Sequence, residues 1–360
     1  MKTVHRKYMN SAVDMGQLED RSVDLVVTSP PYPMIEMWDE CFARQDARIA
    51  GALGRCDGWK AFSLMHGVLD GVWDEIGRVL KPGGFVCINI GDAVRKMGDD
   101  FGLFTNHARI LNAMVKRGMT PLPCILWRKQ TNAPNKFMGS GMLPAGAYVT
   151  LEHEYILIFR KGGKRMFETA DQRRVRRESA IFWEERNHWY SDIWYDLKGA
   201  RQRLADSTVR KRSAAFPFDV PYRLINMYSV AGDRVLDPFS GIGTTMFAAM
   251  ASGRSSVTFE VEAAFEPVLP AEAGRKEDIK SFSNRWMQSR IDRHCLFVEE
   301  RARSGKPIRY INRNHGFPVV TQQETALFLR PLADVRAEIN GEIAITYADL
   351  PFRQPPNPFE

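Results

Sequence analysis

The sequence predicts an α/β fold with a doubly wound, largely parallel sheet, and three observations carry that prediction. Short apolar runs of strand length alternate along the chain with amphipathic stretches of helix length. The stretch from Arg234 to Thr245 reads as a strand, a turn containing Gly241 and Gly243, and a helix start, the unit on which nucleotide-binding sheets are wound. The 360 residues, 44% hydrophobic and 26% charged, have globular composition. That length suits two units of roughly 100–200 residues each, or one large α/β domain carrying an insertion.

Each element follows in order. Val23–Thr28 (VDLVVT) is a short apolar run ahead of Pro30-Pro31, as a buried parallel strand is. Residues 59–80 have helical spacing and stop at Lys81-Pro82-Gly83-Gly84. Residues 85–90 form a second buried strand running into Gly91-Asp92, residues 103–117 a helix, and residues 122–127 a strand. Residues 148–159 contain the strand YILIF, which ends at Arg160-Lys161-Gly162-Gly163. After a basic stretch, Asp219 is placed to N-cap a helix over 220–229 with Pro221 in its first turn. Residues 235–236 are a strand, Thr244–Ala251 a helix, residues 256–259 a strand and residues 278–304 a long helix. Beyond Gly305 only short β-like runs, 308–311 and Ile343–Tyr347, precede a proline-rich end.

Charge is unevenly placed. Residues 160–212 hold fifteen basic and eight acidic side chains, an excess equal to the +7 of the whole chain. Phe182, Trp183, His188, Trp189, Tyr190, Trp194 and Tyr195 are interleaved there, a composition suited to phosphate contacts and base stacking. A solvated surface insertion is the alternative. The five cysteines (Cys41, Cys56, Cys87, Cys124, Cys295) show no CxxC or Cys/His pairing, which argues against a disulfide framework and a structural zinc site. No apolar run approaches the roughly 18 residues that span a bilayer, and the basic start MKTVHRKYMN has no apolar core behind it. A cytoplasmic protein without membrane contact is expected.

Two loops carry chemistry. In Asp237-Pro238-Phe239-Ser240-Gly241-Ile242-Gly243-Thr244-Thr245, the glycines let backbone approach a ligand and the helix start offers free amides. Glu260, 19 residues after Gly241, ends the next strand, where an acid can accept from ribose hydroxyls. A third glycine is missing and Asp237 would repel a pyrophosphate, so an adenosine bearing a sulfonium and an amino group fits better than a dinucleotide. In Ser29-Pro30-Pro31-Tyr32, two prolines remove donors and stiffen the turn. What remains is a hydroxyl, carbonyl acceptors and a ring face, suited to a planar base with an amino group; a packed Pro-Pro turn is the bland alternative.

Together the loops resemble the catalytic and cofactor motifs of amino-methylating DNA methyltransferases. The catalytic loop precedes the cofactor loop, as in the permuted β class of that family. Lys81-Pro-Gly-Gly, Asn89-Ile-Gly-Asp92 and His153-Glu-Tyr-Ile-Leu-Ile-Phe-Arg160 fall in the family's order, as does Ala215-Phe216-Pro217-Phe218. The resemblance covers about residues 8–262. It implies a Rossmann-like methyltransferase sheet with a permuted motif order and an inserted recognition region. Residues 1–160 would be the catalytic half, 161–212 a basic target-recognition insertion, 213–305 the cofactor half, and 306–360 an extension of unknown role.

The resemblance implies S-adenosyl-L-methionine as methyl donor, held by Phe216, Pro217, Asp237, Pro238, Phe239, Ser240, Gly241, Gly243, Thr244, Thr245 and Glu260. The catalytic residues would be Ser29, Pro30, Pro31 and Tyr32. Ser29 Oγ and the Pro30 carbonyl would grip the amino hydrogens of an extruded base while Tyr32 stacks on it. Serine at position 29 resembles the N4-cytosine form, with N6-adenine methylation or a catalytically silent DNA-binding relative as alternatives. Double-stranded DNA is the implied partner, with a homodimer and a cognate restriction endonuclease as further ones. No metal is expected, since His153-Glu154 lacks the second histidine of HExxH. Pro123-Cys124 lacks a Glu-Asn-Val partner for C5-cytosine chemistry. Trp38 and Asp39 could line the pocket or be ordinary packing residues; Asp92 could reach the site or cap the next helix. A nicotinamide-type oxidoreductase is the other enzyme class consistent with the sheet.

Overall fold

Val23–Thr28 (β2) is buried at every position, and its side chains divide between the two faces of the sheet, alternating from Leu25 onward after a register shift at Val23. Val23 and Val26 enter the apolar core on one face of the sheet, Leu25 and Val27 the core on the other. The computed structural model describes residues 1–129, 138–139, 141–197, 216–265, 276–338, 341–350 and 352. Its strands are Lys2–Tyr8 (β1), β2, Leu80–Ile90 (β3), Ala93–Met97 (β4), Asp100–Phe104 (β5), Met119–Arg128 (β6), Met138–Gly139 (β7) and Ala147–Tyr148 (β8). They continue with His153–Lys161 (β9), Ile193–Trp194 (β10), Arg234–Asp237 (β11), Ser255–Phe259 (β12), Tyr310–Ile311 (β13), Pro318–Val319 (β14), Leu332–Ala337 (β15) and Ile343–Tyr347 (β16). The helices are Asp39–Gln45 (α1), Ala47–Gly54 (α2), Gly58–Val79 (α3), Asn106–Lys116 (α4), Ala170–Glu178 (α5), Trp183–Trp189 (α6), Asp219–Tyr228 (α7), Thr244–Ala251 (α8) and Lys276–Arg303 (α9).

Among the described residues, ten strands form one sheet in the order β10-β6-β9-β3-β2-β11-β12-β1-β16-β15. The central pairs β3–β2, β2–β11, β11–β12 and β12–β1 are parallel, whereas β9 runs against both β3 and β6. One face is covered by α3 and α4, the other by α7 and α8. From β2 the chain winds toward β3, and from β11 toward β12, so the winding direction reverses between β2 and β11. A ligand crevice belongs at the carboxyl ends of such a pair.

Several sequence expectations shift for physical reasons. The strand expected over 85–90 begins at Leu80, because Lys81–Gly84 form a bulge between the Val23–Leu80 and Leu25–Phe85 pairings. Both glycines are required there. Gly83 has φ +81° beside the Arg165 backbone, and a Cβ on Gly84 would lie 2.8 Å from the Asp24 carbonyl oxygen. The helix expected from 103 starts at Asn106, since 93–104 form the β4–β5 hairpin. Asp219 is not an N-cap: Phe218 already has helical backbone angles, and Asp219 is the first helical residue. The C-terminal segment completes the sheet, with β16 antiparallel to β1 and β15 antiparallel to β16. No described helix is long and apolar enough to cross a membrane.

The basic insertion divides between the two ends of the strands. Arg165 pairs with Asp233 and reaches Asp24, at the amino ends of β11 and β2. The Ala231 amide donates to Ser179 Oγ at the same end. Residues 193–197 instead follow the carboxyl end of β6, where Trp127 Nε1 donates to the Leu197 carbonyl. The expectation of free stacking rings changes accordingly. Phe182, Trp189 and Trp194 are buried, Phe182 stacked on His294 at 4.0 Å, whereas Tyr190 and Tyr195 are exposed. Of the basic residues counted in the sequence, Lys198, Arg201, Arg203, Arg210, Lys211 and Arg212 lie outside the described residues, as does Ala215.

Candidate active site

Parallel pairing of Leu25 with Val235 and Val26 with Leu236 places the two motif loops side by side. They are joined directly: Thr28 Oγ1 donates to Asp237 Oδ1 at 2.6 Å. Thr245 Oγ1, one residue into α8, donates to the Val27 carbonyl at 3.4 Å. The turn between is closed by the Gly243 amide donating to the Ser240 carbonyl at 2.8 Å, with Gly241 at φ +50° and Gly243 at +83°. Left-handed backbone at two positions within three residues explains why this turn uses glycine.

A cleft opens above these loops. Ser29, Pro30, Pro31, Tyr32, Phe216, Asp237, Pro238, Phe239, Ser240, Gly241, Thr244, Thr245 and Glu260 all line it. Gly243 and Pro217 stand behind the wall. Gly243 is the left-handed residue that starts α8, and the Pro217 carbonyl accepts from the Val220 amide to start α7. The far wall is α1 with its preceding turn (Met37, Trp38, Cys41, Phe42) and Leu69 and Val72 of α3. Arg44 and Glu262 pair across that wall at 3.2 Å. Trp38 therefore faces the cleft, while Asp39 pairs with Arg95. Asp92 does not reach it: its carboxylate accepts from the His107 amide and ring, capping α4.

The acidic groups are held for a ligand with donors and a cationic end. Glu260 Oε2 accepts from the Gly241 amide at 2.7 Å and Oε1 from the Glu262 amide at 2.8 Å, leaving lone pairs toward the cleft. Burial raises the Asp237 carboxyl to about 6, opposed by hydrogen bonds from Thr28 and the Phe239 amide. A cationic group nearby would favour its ionised form. Ser240 Oγ is buried without a partner among the described residues, a polar atom that a ligand can satisfy.

Around Tyr32 the structure adds side chains to which the sequence assigned no role. Tyr32 Oη donates to Glu154 Oε2 at 2.9 Å, and Ser29 Oγ donates to Tyr32 Oη at 3.3 Å. Asn89 Nδ2 donates to Tyr32 Oη at 2.8 Å and to Glu154 Oε2 at 2.7 Å. Lys129 Nζ bonds Glu154 Oε1 and lies over the Trp127 ring at 4.6 Å. Burial, and then the Glu154 charge, raise the Tyr32 phenol well above its ordinary range, so it stays protonated. A Cβ on Gly91 would stand 3.0 Å from Tyr32 Cε2, so the backbone at the end of β3 seats one edge of that ring. Asn89 and Glu154 belonged to motifs the sequence displayed; their convergence on Tyr32 needs the β3–β9 pairing, which spacing alone does not reveal.

This geometry can be set beside known proteins. The profile of the N6/N4 methyltransferase family, a DNA methylase family, matches residues 23–269. The chain is 49% identical over 351 residues, 97% of each protein, to Type II methyltransferase M.MthZI of Methanothermobacter thermautotrophicus. It is 45% identical over 286 residues to Type II methyltransferase M.MjaI of Methanocaldococcus jannaschii, covering 76% of this chain and 93% of that relative. Among solved structures, a Thermus thermophilus protein described as a DNA modification methylase, complexed with S-adenosyl-L-methionine, matches at 30% identity. The TM-score is 0.57, with 77% of this chain and 93% of that one covered. A profile that spans both motif loops, together with a relative alike over nearly its whole length, places this chain in the N6/N4 family of DNA methylases.

Proposed function

We propose that the protein is a site-specific DNA methyltransferase that methylates the exocyclic N4 amine of a cytosine extruded from double-stranded DNA. The observation that carries the reading is the direct Thr28–Asp237 bond, which holds the amine-binding loop and the acidic glycine turn in one cleft. S-adenosyl-L-methionine is the methyl donor, supplying an electrophilic methyl group on a sulfonium when bound.

The chain's residues then act by placement. Glu260 accepts from ribose hydroxyls, and the Asp237 carboxylate attracts the cationic end. Phe216, Pro238, Phe239, Ser240, Gly241, Thr244 and Thr245 shape the wall, with Gly243 and Pro217 supporting it. Ser29 Oγ and the Pro30 carbonyl accept the two amine hydrogens, Pro31 keeps that loop stiff, and the Tyr32 ring stacks on the base. An exocyclic amine is a poor nucleophile because its lone pair is delocalised into the ring. Holding both hydrogens out of plane turns the lone pair toward the methyl group, so the rate comes from orientation and preorganised acceptors.

Serine in place of aspartate at position 29 supports cytosine over adenine. Within residues 161–212, target recognition falls to the part at the carboxyl end of the sheet, where the cleft opens. The test is nucleoside mass spectrometry of DNA incubated with protein and S-adenosyl-L-methionine. N4-methylcytosine is expected. N6-methyladenine would keep the fold and overturn the reading of Ser29, and no methylated nucleoside on varied DNA would overturn the activity.

A further inference from the structure

Glu154 is a half-buried carboxylate beside the catalytic loop, and the loop's own bonding pattern runs toward it. A carboxylate accepts and cannot donate, so Tyr32 must give its hydroxyl proton to Glu154 Oε2, 2.9 Å away. Tyr32 Oη is then open to donors, and it receives Asn89 Nδ2 at 2.8 Å and Ser29 Oγ at 3.3 Å. Because Ser29 has one hydroxyl proton and it is committed to Tyr32, only lone pairs remain for the cleft, and one of them is already approached by Asn89 Nδ2 at 3.5 Å. The chain of donors Ser29 → Tyr32 → Glu154 thereby makes Ser29 an acceptor, the role that an amine with two hydrogens demands.

Two features fix the direction. Asn89 is 2% exposed and turns its amide nitrogen to Glu154 and Tyr32, leaving Oδ1 buried without a partner among the described residues. That arrangement leaves a buried acceptor unsatisfied, and it holds because the opposite orientation would set a carbonyl against the carboxylate. Lys129 bonds the other oxygen of Glu154, neutralising a charge whose side chain is 12% exposed.

We propose that Glu154, held by Asn89 and Lys129, positions and polarises the Ser29–Tyr32 pair and receives the proton released by the methylated amine. The inference rests on the amine-methylation reading of the cleft. When the amine nitrogen bonds the methyl carbon, the carbon–sulfur bond breaks and its electron pair stays on sulfur, which becomes a neutral thioether. The nitrogen, briefly cationic, passes one N–H proton to Ser29 Oγ, Ser29 passes its own to Tyr32 Oη, and Tyr32 passes its own to Glu154 Oε2. Each hydroxyl ends as it began, one proton has moved, and Glu154 is left as the neutral acid beside Lys129. An amine cation that has lost its delocalisation is a strong acid, so the transfer to a carboxylate is downhill.

The test is single-turnover methylation across pH 5.5–9 by wild type, Glu154→Gln and Tyr32→Phe, with cofactor and duplex affinities measured by calorimetry. Tyr32→Phe keeps the stacking ring and loses only the hydroxyl; Glu154→Gln keeps the shape and puts a donor where the chain needs an acceptor. Both are expected to slow the methyl-transfer step by roughly 10²-fold at pH 7. Each should also make the rate climb with pH as hydroxide replaces the relay, with both affinities within about threefold of wild type, and the double variant should be no slower than the worse single one. Wild-type rates in both variants on a DNA that wild type methylates would overturn the relay while leaving the activity intact. Equal slowing with an unchanged pH profile would reduce Glu154 to packing and also overturn it. A wild-type protein that methylates no DNA would instead refute the underlying reading.

Discussion

Burial raises the Asp237 carboxyl to about 6, and hydrogen bonds from Thr28 Oγ1 and the Phe239 amide pull the other way. Since the folded value lies above that of an unfolded aspartate, the free fold holds this proton to higher pH, and Asp237 costs stability progressively as pH rises from 3.8 to about 6 and by a constant amount above it. A cationic ligand reverses the preference. S-adenosyl-L-methionine should therefore bind more weakly as pH falls from 7.5 to 5.5, and its thermal stabilisation of the protein should shrink in parallel. Calorimetric titration at several pH values checks this, and Asp237→Asn should flatten the dependence. Ser29→Ala and Tyr32→Ala belong to the same scale. Turnover should fall by about 10²-fold or more, because acceptors and stacking act on the reacting base, while cofactor affinity stays within about threefold. Unchanged turnover in both would remove Ser29 and Tyr32 from the active site. Ser29, Tyr32 and Asp237 could be singled out in the sequence because each loop compresses its polar groups into a few contiguous residues, and the structure brings both loops to one cleft. Glu154 and Lys129 could not, since their part depends on which strand lies beside which.

Among the elements, the turn into β3 shows how much a motif can say before its geometry is known. Lys81-Pro82-Gly83-Gly84 reads as a helix stop, and α3 does end at Val79, but the four residues form a bulge inside a central strand pair. The bulge accounts for a proline in an interior strand, because it takes Pro82 out of the ladder. Gly84→Ala would bring a Cβ to 2.8 Å from the Asp24 carbonyl, a backbone atom that cannot swing aside. A loss of about 1–3 kcal/mol of stability is expected, measurable as a lower denaturation midpoint, with the active-site loops chemically unchanged. Gly77→Ala, with nothing within 4 Å of its Cβ near the end of α3, should instead be neutral or stabilising. Apolar elements bounded by turn residues, such as Val23–Thr28 ahead of Pro30-Pro31 and Thr244–Ala251 between Gly243 and Gly253, were readable from the sequence to the residue. The β4–β5 hairpin was not, because Arg95, Lys96 and Met97 carry no alternation and Gly98-Asp99 is a short signal. The aromatics of 182–194 misled for a related reason. Composition records a ring but not the face it packs against, and here His294, Tyr222 and Arg223 take the rings as core.

Across the whole molecule, the two ends of the sheet have different tasks. The cleft stands at the carboxyl ends of β2 and β11, whereas α5 packs near their amino ends, tied through Arg165 to Asp24 and Asp233 and through Ser179 to Ala231. A six-residue strand rises about 20 Å, close to the width of a duplex. A duplex that delivers a base into the cleft therefore lies a full strand length from Arg173, Arg176 and Arg177. Helix α5 has internal uses for its charge as well: Arg174 pairs with Asp171 and Glu178, and Glu178 also pairs with Arg330 of the C-terminal segment. Among the described residues of 160–197, the basic side chains are thus divided between the two ends of the strands rather than gathered at the cleft. Each phosphate contact contributes a slope of about −0.9 in log affinity against log salt. Reversing Arg173, Arg176 and Arg177 to glutamate should leave the slope for a short target duplex unchanged within about one unit, and turnover on it near wild type. A slope reduced by two to three units, with cofactor affinity intact, would mean that the duplex bends around the sheet to reach α5, and recognition would then extend over both ends of the strands.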